Sequence, residues 1–149
     1  MNDILETYNN LEQTYLEITK RYLRIDESSV EKALFQHTGV YAFFGAVIAH
    51  AKLKMDEAST TLEREEASVR EERRAELLSS GKKATDRALD AYVKTVSSVQ
   101  ACENKLRECS HKYHLAKTIM NSLDHQKDML VQISANKRAE TKLIGDNFS

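Results

Sequence analysis

Apolar residues recur along most of this chain in alternating steps of three and four, the spacing of a helical seam rather than of a strand. The first run is Tyr8, Leu11, Tyr15, Ile18, Tyr22 and Ile25, and it predicts a helix over residues 1–25. Asp26-Glu27-Ser28-Ser29 interrupts the pattern, and Ser28 followed by Glu31 has the form of a capping box. A second helix, 29–79, then carries Val30, Leu34, His37, Tyr41, Phe44, Ile48, Ala51, Met55, Ala58, Leu62 and Val69 on one seam. Such a helix is about 75 Å long. From Val40 to Ala51 it is apolar nearly all round, more than one facing helix can cover. A run of about a dozen residues is too short to cross a bilayer. Tyr41, Phe43, Phe44 and Val47 are therefore expected at an interface between copies of the chain. Beyond Lys52 the seam narrows and the other faces are charged, as in a two-stranded coil.

One strong break divides the pattern, Ser79-Ser80-Gly81-Lys82-Lys83-Ala84-Thr85-Asp86. Gly81 suits the left-handed residue that ends a helix, and Thr85 suits the cap of the next, with Asp86 in its first turn. Residues 80–96 are expected to form a basic turn and a short helix containing Ala88, Leu89, Tyr92 and Val93. Ser97 with Gln100 reads as a further capping box. The return helix, 97–142, has the seam Cys102, Leu106, Cys109, Tyr113, Ala116, Met120, Leu123, Lys127 and Leu130. Matching the two long seams sets Tyr113 near Leu62, Met120 near Met55 and Leu130 near Phe44. The tail from Ile144 onward is expected to fray. The expected fold is all-α: a long antiparallel helical hairpin, a coiled-coil arm with a multi-helix base and a short helix at its tip, assembling into an oligomer.

Composition supports this picture. The 149 residues suit one helical domain, with no proline, no tryptophan, four glycines and 30% charged side chains. The N-terminal residues lack a basic region leading into an apolar run, so no signal peptide is expected. Cys102 and Cys109 lie two turns apart, too far to bridge on one helix, and read as reduced thiols of a cytoplasmic protein. Net charge is −1, but it is uneven: residues 1–69 hold 7 basic and 12 acidic side chains, residues 70–149 hold 15 and 11. The sums, −5 and +4, describe a sided molecule.

Candidate chemistry is sparse. His111 and His114 share a helix face, yet no carboxylate joins them, so a packed or solvated pair is expected and no metal. His37, His50 and His125 are accounted for as buried neutral side chains. No nucleophile elbow, phosphate loop or zinc spacing occurs, and neither a cofactor nor catalysis is expected. The acid-rich run Glu63–Glu76 interleaves with arginines at three- and four-residue spacing, the pattern of a solvated helix face. Against that background Arg70, Arg73, Arg74, Lys82, Lys83 and Arg87 form the densest basic group, and the turn lysines have few acids nearby. They are the candidate contacts for a polyanion.

The segment SSGKKATDRALDAYV, the long helix after it and HQKDMLVQISANKRAE resemble phage recombination mediators of the UvsY type. Lys82, Lys83, Thr85 and Asp86 fit that family's basic turn; Lys127, Met129, Leu130, Arg138 and Glu140 fit its closing stretch. The likeness spans about Tyr41 to Glu140 and departs at Asp86, where the family carries glutamate, and in the slightly acidic net charge. It implies a non-enzymatic protein of the host-cell cytoplasm. Such a protein assembles into a ring, binds single-stranded DNA and helps a recombinase displace single-strand-binding protein, with no membrane partner. Two other readings stand beside it. One is a coiled-coil structural or adaptor protein, such as a virion scaffold or chaperone, whose basic tip meets an acidic protein. The other is a metal-dependent helical enzyme, which would need carboxylate–histidine pairs.

Overall fold

The computed structural model describes residues 2–146, and among these the secondary structure is helical. Five α-helices follow one another: α1 (Asn2–Asn9), α2 (Leu11–Glu17), α3 (Val30–Ser79), α4 (Asp86–Val93) and α5 (Ser97–Asp146). The chain divides into two compact units, Met1–His50 with His114–Ser149, and Ala51–Tyr113, where length alone predicts one domain. The two 50-residue helices α3 and α5 contribute to both.

In the first unit, the expected single N-terminal helix is interrupted at Asn10, whose φ of −110° and ψ of 29° leave the helical region. Asn9 and Asn10 supply the reason, since asparagine side chains compete with the backbone for local hydrogen bonds and favour turns over helix interiors. The seam survives the break, with Tyr8, Leu11 and Ile18 buried and Tyr15 half-buried. The side chain of Tyr22 lies outside the described residues. A π-helical segment, Ile18–Tyr22, closes with the Leu23 N–H donating to the Ile18 carbonyl at 3.0 Å. At the start of α3 the capping residue is Asp26 rather than Ser28. Its carboxylate accepts from the Ser28 N–H at 2.9 Å and the Ser28 hydroxyl at 2.7 Å, ahead of a 3₁₀ turn, Glu27–Ser29. A charged acceptor is the stronger cap, so Ser28 becomes donor instead of acceptor.

Here α3 packs against α5. The His37 ring is buried, with Nε2 2.8 Å from the Leu123 carbonyl, so this nitrogen carries the donated hydrogen. Tyr41 stacks on His37 and its hydroxyl donates to Asp124 at 3.5 Å. Tyr8 meets His50 edge to face at 5.1 Å. Val30, Phe44, Val47, Ala116, Ile119, Leu123 and Leu130 make up most of the core.

Two expectations about α5 need correction. Lys127 is exposed, and Gln126 occupies the buried position beside it; likewise Ile119 is fully buried and Met120 half-buried. Between Ala116 and Leu130 the seam therefore steps through 119 and 126, one residue earlier than a strict repeat would have it. Burying a charged lysine ammonium costs far more than burying a neutral amide, which favours this phase. The facing residues also differ from the matched seams. His37 and Tyr41 meet Leu123 and Asp124, and in the second unit Lys52 lies 5.9 Å from the centre of the Tyr113 ring. The expected partner of Tyr113 was Leu62, ten residues further along α3. Within the second unit α4 lies against α3, through Arg70 with Asp86 and Asp90 and through Arg73 with Tyr92.

In the second unit, Val69, Val93 and Val99 form a buried cluster with Leu62 and Val96 packed on it, and Leu89 is fully buried. Ala58 and Cys109 are buried and Cys102 is half-buried, and neither cysteine forms a disulfide among the described residues. The Gln100 side-chain amide donates to the Lys94 carbonyl at 3.1 Å, so it closes the preceding turn instead of pairing with Ser97. Of the tail expected to fray, residues 144–146 belong to α5, while Asn147, Phe148 and Ser149 lie outside the described residues. No helix among the described residues is long and apolar enough to cross a membrane.

Candidate nucleic-acid interface

The basic turn is held at both ends by its backbone. After Ser79 the Gly81 N–H donates to the Leu78 carbonyl at 3.1 Å and the Lys82 N–H to the Leu77 carbonyl at 2.9 Å. This crossed pair is a Schellman motif, and it requires a left-handed residue, supplied by Gly81 at φ +71°. The Ser79 and Ser80 hydroxyls donate to the Glu76 and Leu77 carbonyls, both at 2.9 Å, so the carbonyls of Glu76, Leu77 and Leu78 all have partners within the chain. On the far side Thr85 is extended, and its hydroxyl accepts from the Ala88 N–H at 3.4 Å, capping α4. Residues 82–84 are thus strung between two fixed points.

The six basic side chains fall into two groups. Arg70 spans Asp86 and Asp90, at 3.2 and 3.0 Å. Arg74 meets Glu71 at 2.8 Å and Asp86 at 3.5 Å. Arg73 pairs with Glu76 and lies 4.5 Å from the centre of the Tyr92 ring. All three are half-buried, and they join the end of α3 to α4. Exposed ion pairs of this kind contribute about 0.2–1 kcal/mol each, and the cation–π contact about 0.5–1 kcal/mol. Lys82, Lys83 and Arg87 differ. They are exposed, and among the described residues no carboxylate lies within ion-pair distance of any of them. What sequence reasoning missed is that Asp86, Asp90 and Tyr92 engage these arginines. The signal was present as two aspartates four apart, which share one face of α4.

A groove of about 420 Å³ beside α4 is lined by Glu63, Glu66 and Asp90 against Arg70 and Lys94, so it offers a phosphate backbone little net attraction. The early turns of α5 also carry basic side chains, and these too are engaged by acids. Lys105 and Lys112 share Glu108 at 2.8 and 3.2 Å, and Arg107 reaches Glu103 at 3.4 Å. The hydrogen bond from Lys105, with a second from Lys112, holds the Glu108 carboxyl below its ordinary range. The same bond raises Lys105 above the usual lysine value. Of the six candidate cations, those not committed to an acid are therefore Lys82, Lys83 and Arg87.

The expected contacts between copies lie in the first unit. Phe44 and Val47 are buried by their own chain, while Phe43 is half-buried, edge to face on Phe44 at 5.4 Å. Tyr41 is exposed at the rim. The exposed apolar side chains of this stretch include Ala42 and Ala46, and Phe35 upstream is 88% exposed. Among the described residues no three His, Cys, Asp or Glu side chains converge as a metal ion would require. No family model matches the chain, and no curated protein or solved structure matches it, so the chemistry of the turn rests on its own residues.

Proposed function

We propose that this protein binds single-stranded DNA without catalysing a reaction, and acts as a mediator that helps load a recombinase where single-strand-binding protein would otherwise remain. The observation that carries the reading is the contrast at the turn. Arg70, Arg73 and Arg74 are tied to acids, while Lys82, Lys83 and Arg87 are exposed and unpaired on a short segment fixed at both ends. Contacts from such side chains go to phosphates and are indifferent to base sequence. Three per chain are weak. Association of chains into a ring multiplies them by holding the strand at high effective concentration, which is how a chain of net charge −1 grips a polyanion. The finer architecture belongs to the same proposal: α3 and α5 as the limbs of a hairpin, the turn at its tip, and copies meeting through the apolar stretch around Tyr41 and Phe43.

The test is oligothymidylate binding against salt for the parent and for Lys82→Ala/Lys83→Ala/Arg87→Ala. Single-strand affinity falls with a slope of about −0.7 per neutralised phosphate on logarithmic axes, so the slope per chain should diminish by about 2. Helicity and assembly mass should not change. Equal affinity and slope in the two proteins would overturn the reading. Capture of an acidic protein by a chain with no affinity for DNA would replace it with the adaptor.

A further inference from the structure

Within the first unit a cavity of about 530 Å³ lies where the beginning of α3 meets the last turns of α5, with Ser28, Ser29, Lys32, Ser134, Arg138 and Thr141 in its wall. Lys137 adds a third cation, and Glu31 is the one carboxylate among the lining residues. The wall thus presents Arg138 and Lys32 in a concave, hydroxyl-rich setting, while Lys137 is also attracted by the Asp26 carboxylate. Arg138 is aimed by a neutral group: its Nε donates to the Ser134 carbonyl at 3.3 Å and its Nη2 to the Ser134 hydroxyl oxygen at 3.1 Å. Among the described residues no carboxylate pairs with Arg138 or with Lys32, and both are exposed. This sets Arg138 apart from Arg70, Arg73 and Arg74, whose forks are filled by acids.

We propose that this cavity binds a phosphate group, with Arg138 and Lys32 supplying the charge and Ser134 a hydroxyl donor. The planar guanidinium, oriented but not neutralised, presents its remaining N–H groups to two oxygens of one phosphate, and a lysine adds a point charge. Ser134 accepts from Arg138 with its lone pair and keeps its own hydrogen to donate. A sulfhydryl, carbonyl or uncharged sugar would leave that charge unanswered. The phosphate belongs either to a strand's phosphodiester backbone or to a small phosphorylated molecule, and the site is independent of the turn.

The test titrates inorganic phosphate and, separately, a short oligothymidylate into the full-length nitrogen-15-labelled chain at low salt. Saturable shifts of the Lys32, Ser134 and Arg138 amides are the expected result. A response to both probes, or to phosphate alone, assigns the site to free phosphate groups; a response to the oligonucleotide alone assigns it to a strand. In each case Lys32→Ala/Arg138→Ala should weaken the affinity read from these shifts at least about tenfold, with helicity retained. Arg138→Lys, which keeps the charge and loses the fork, should weaken it as well. Should the double variant lose helicity, Lys32→Gln and Arg138→Gln singly carry the same comparison. Absence of shifts with both probes, or shifts that survive the double substitution, overturns the proposal. The triple substitution at the turn should leave the phosphate response intact, so the two sites can fail separately.

Discussion

A methyl group added at position 81 would meet nothing within 4 Å, yet the backbone there is left-handed at φ +71°. Any loss on substitution is therefore conformational and not steric crowding. Gly81→Ala should cost about 1 kcal/mol in denaturant unfolding, and Gly81→Asn less, because asparagine tolerates this region. A second residue with a definite consequence is Asp26. Hydrogen bonds from the Ser28 hydroxyl and N–H hold its carboxyl below the ordinary aspartate range, with Lys137 adding a smaller attraction. A carboxyl whose folded pKa is depressed contributes stability that is present above the unfolded value and lost as pH falls through the folded one. The stability difference between the parent and Asp26→Ala should thus be full near neutrality and shrink on acidification below about pH 4. Thermal unfolding at a series of pH values reads it directly, and a difference that grows in acid would contradict the assignment of Asp26 as the cap.

At the scale of elements, α4 is only eight residues long and depends on its partner face. Leu89 and Val93 bury that face, with Leu89 fully enclosed. Leu89→Ala should cost about 2–4 kcal/mol, loosening the Arg70–Asp86 and Arg70–Asp90 pairs with it. On α5 the two neighbours at the seam separate sharply. Lys127→Ala should lie within about 0.5 kcal/mol of the parent, whereas Leu130→Ala should cost about 2–4 kcal/mol. Most of the seam on α3 was legible because burial there follows sequence period alone: Val30, His37, Phe44, Ala51, Ala58 and Val69 are buried where three-and-four spacing puts them. What spacing could not convey was phase where two neighbouring residues compete, as Gln126 and Lys127 do. Nor could it convey facing partners, which depend on tertiary packing. The Gly81 and Thr85 signals were local and read correctly, but whether α4 packs on α3 is a tertiary matter. Besides Glu71, a near neighbour of Arg74, the acids that claim Arg70 and Arg74 sit twelve to twenty residues away, beyond the reach of a spacing rule.

For the whole molecule, the open question of mass is one of exposed apolar surface. Phe44 and Val47 are covered by their own chain, so aspartate there would damage folding and assembly together. Phe35, 88% exposed, separates the two effects. Phe35→Asp should leave the unfolding transition of the isolated chain nearly unchanged and shift sedimentation toward smaller species. Unchanged sedimentation would move the contact elsewhere on the surface. The two cysteines have a consequence of another kind. Cys102 is half-buried and Cys109 is 4% exposed, both reduced and two turns apart on α5. An alkylating reagent in excess should modify Cys102 quickly and Cys109 only during transient openings of the second unit, so mass spectrometry would resolve two clocks in one chain. The ratio of the slow rate to that of the unfolded thiol measures the opening equilibrium of the region that carries the turn, without any engineered label.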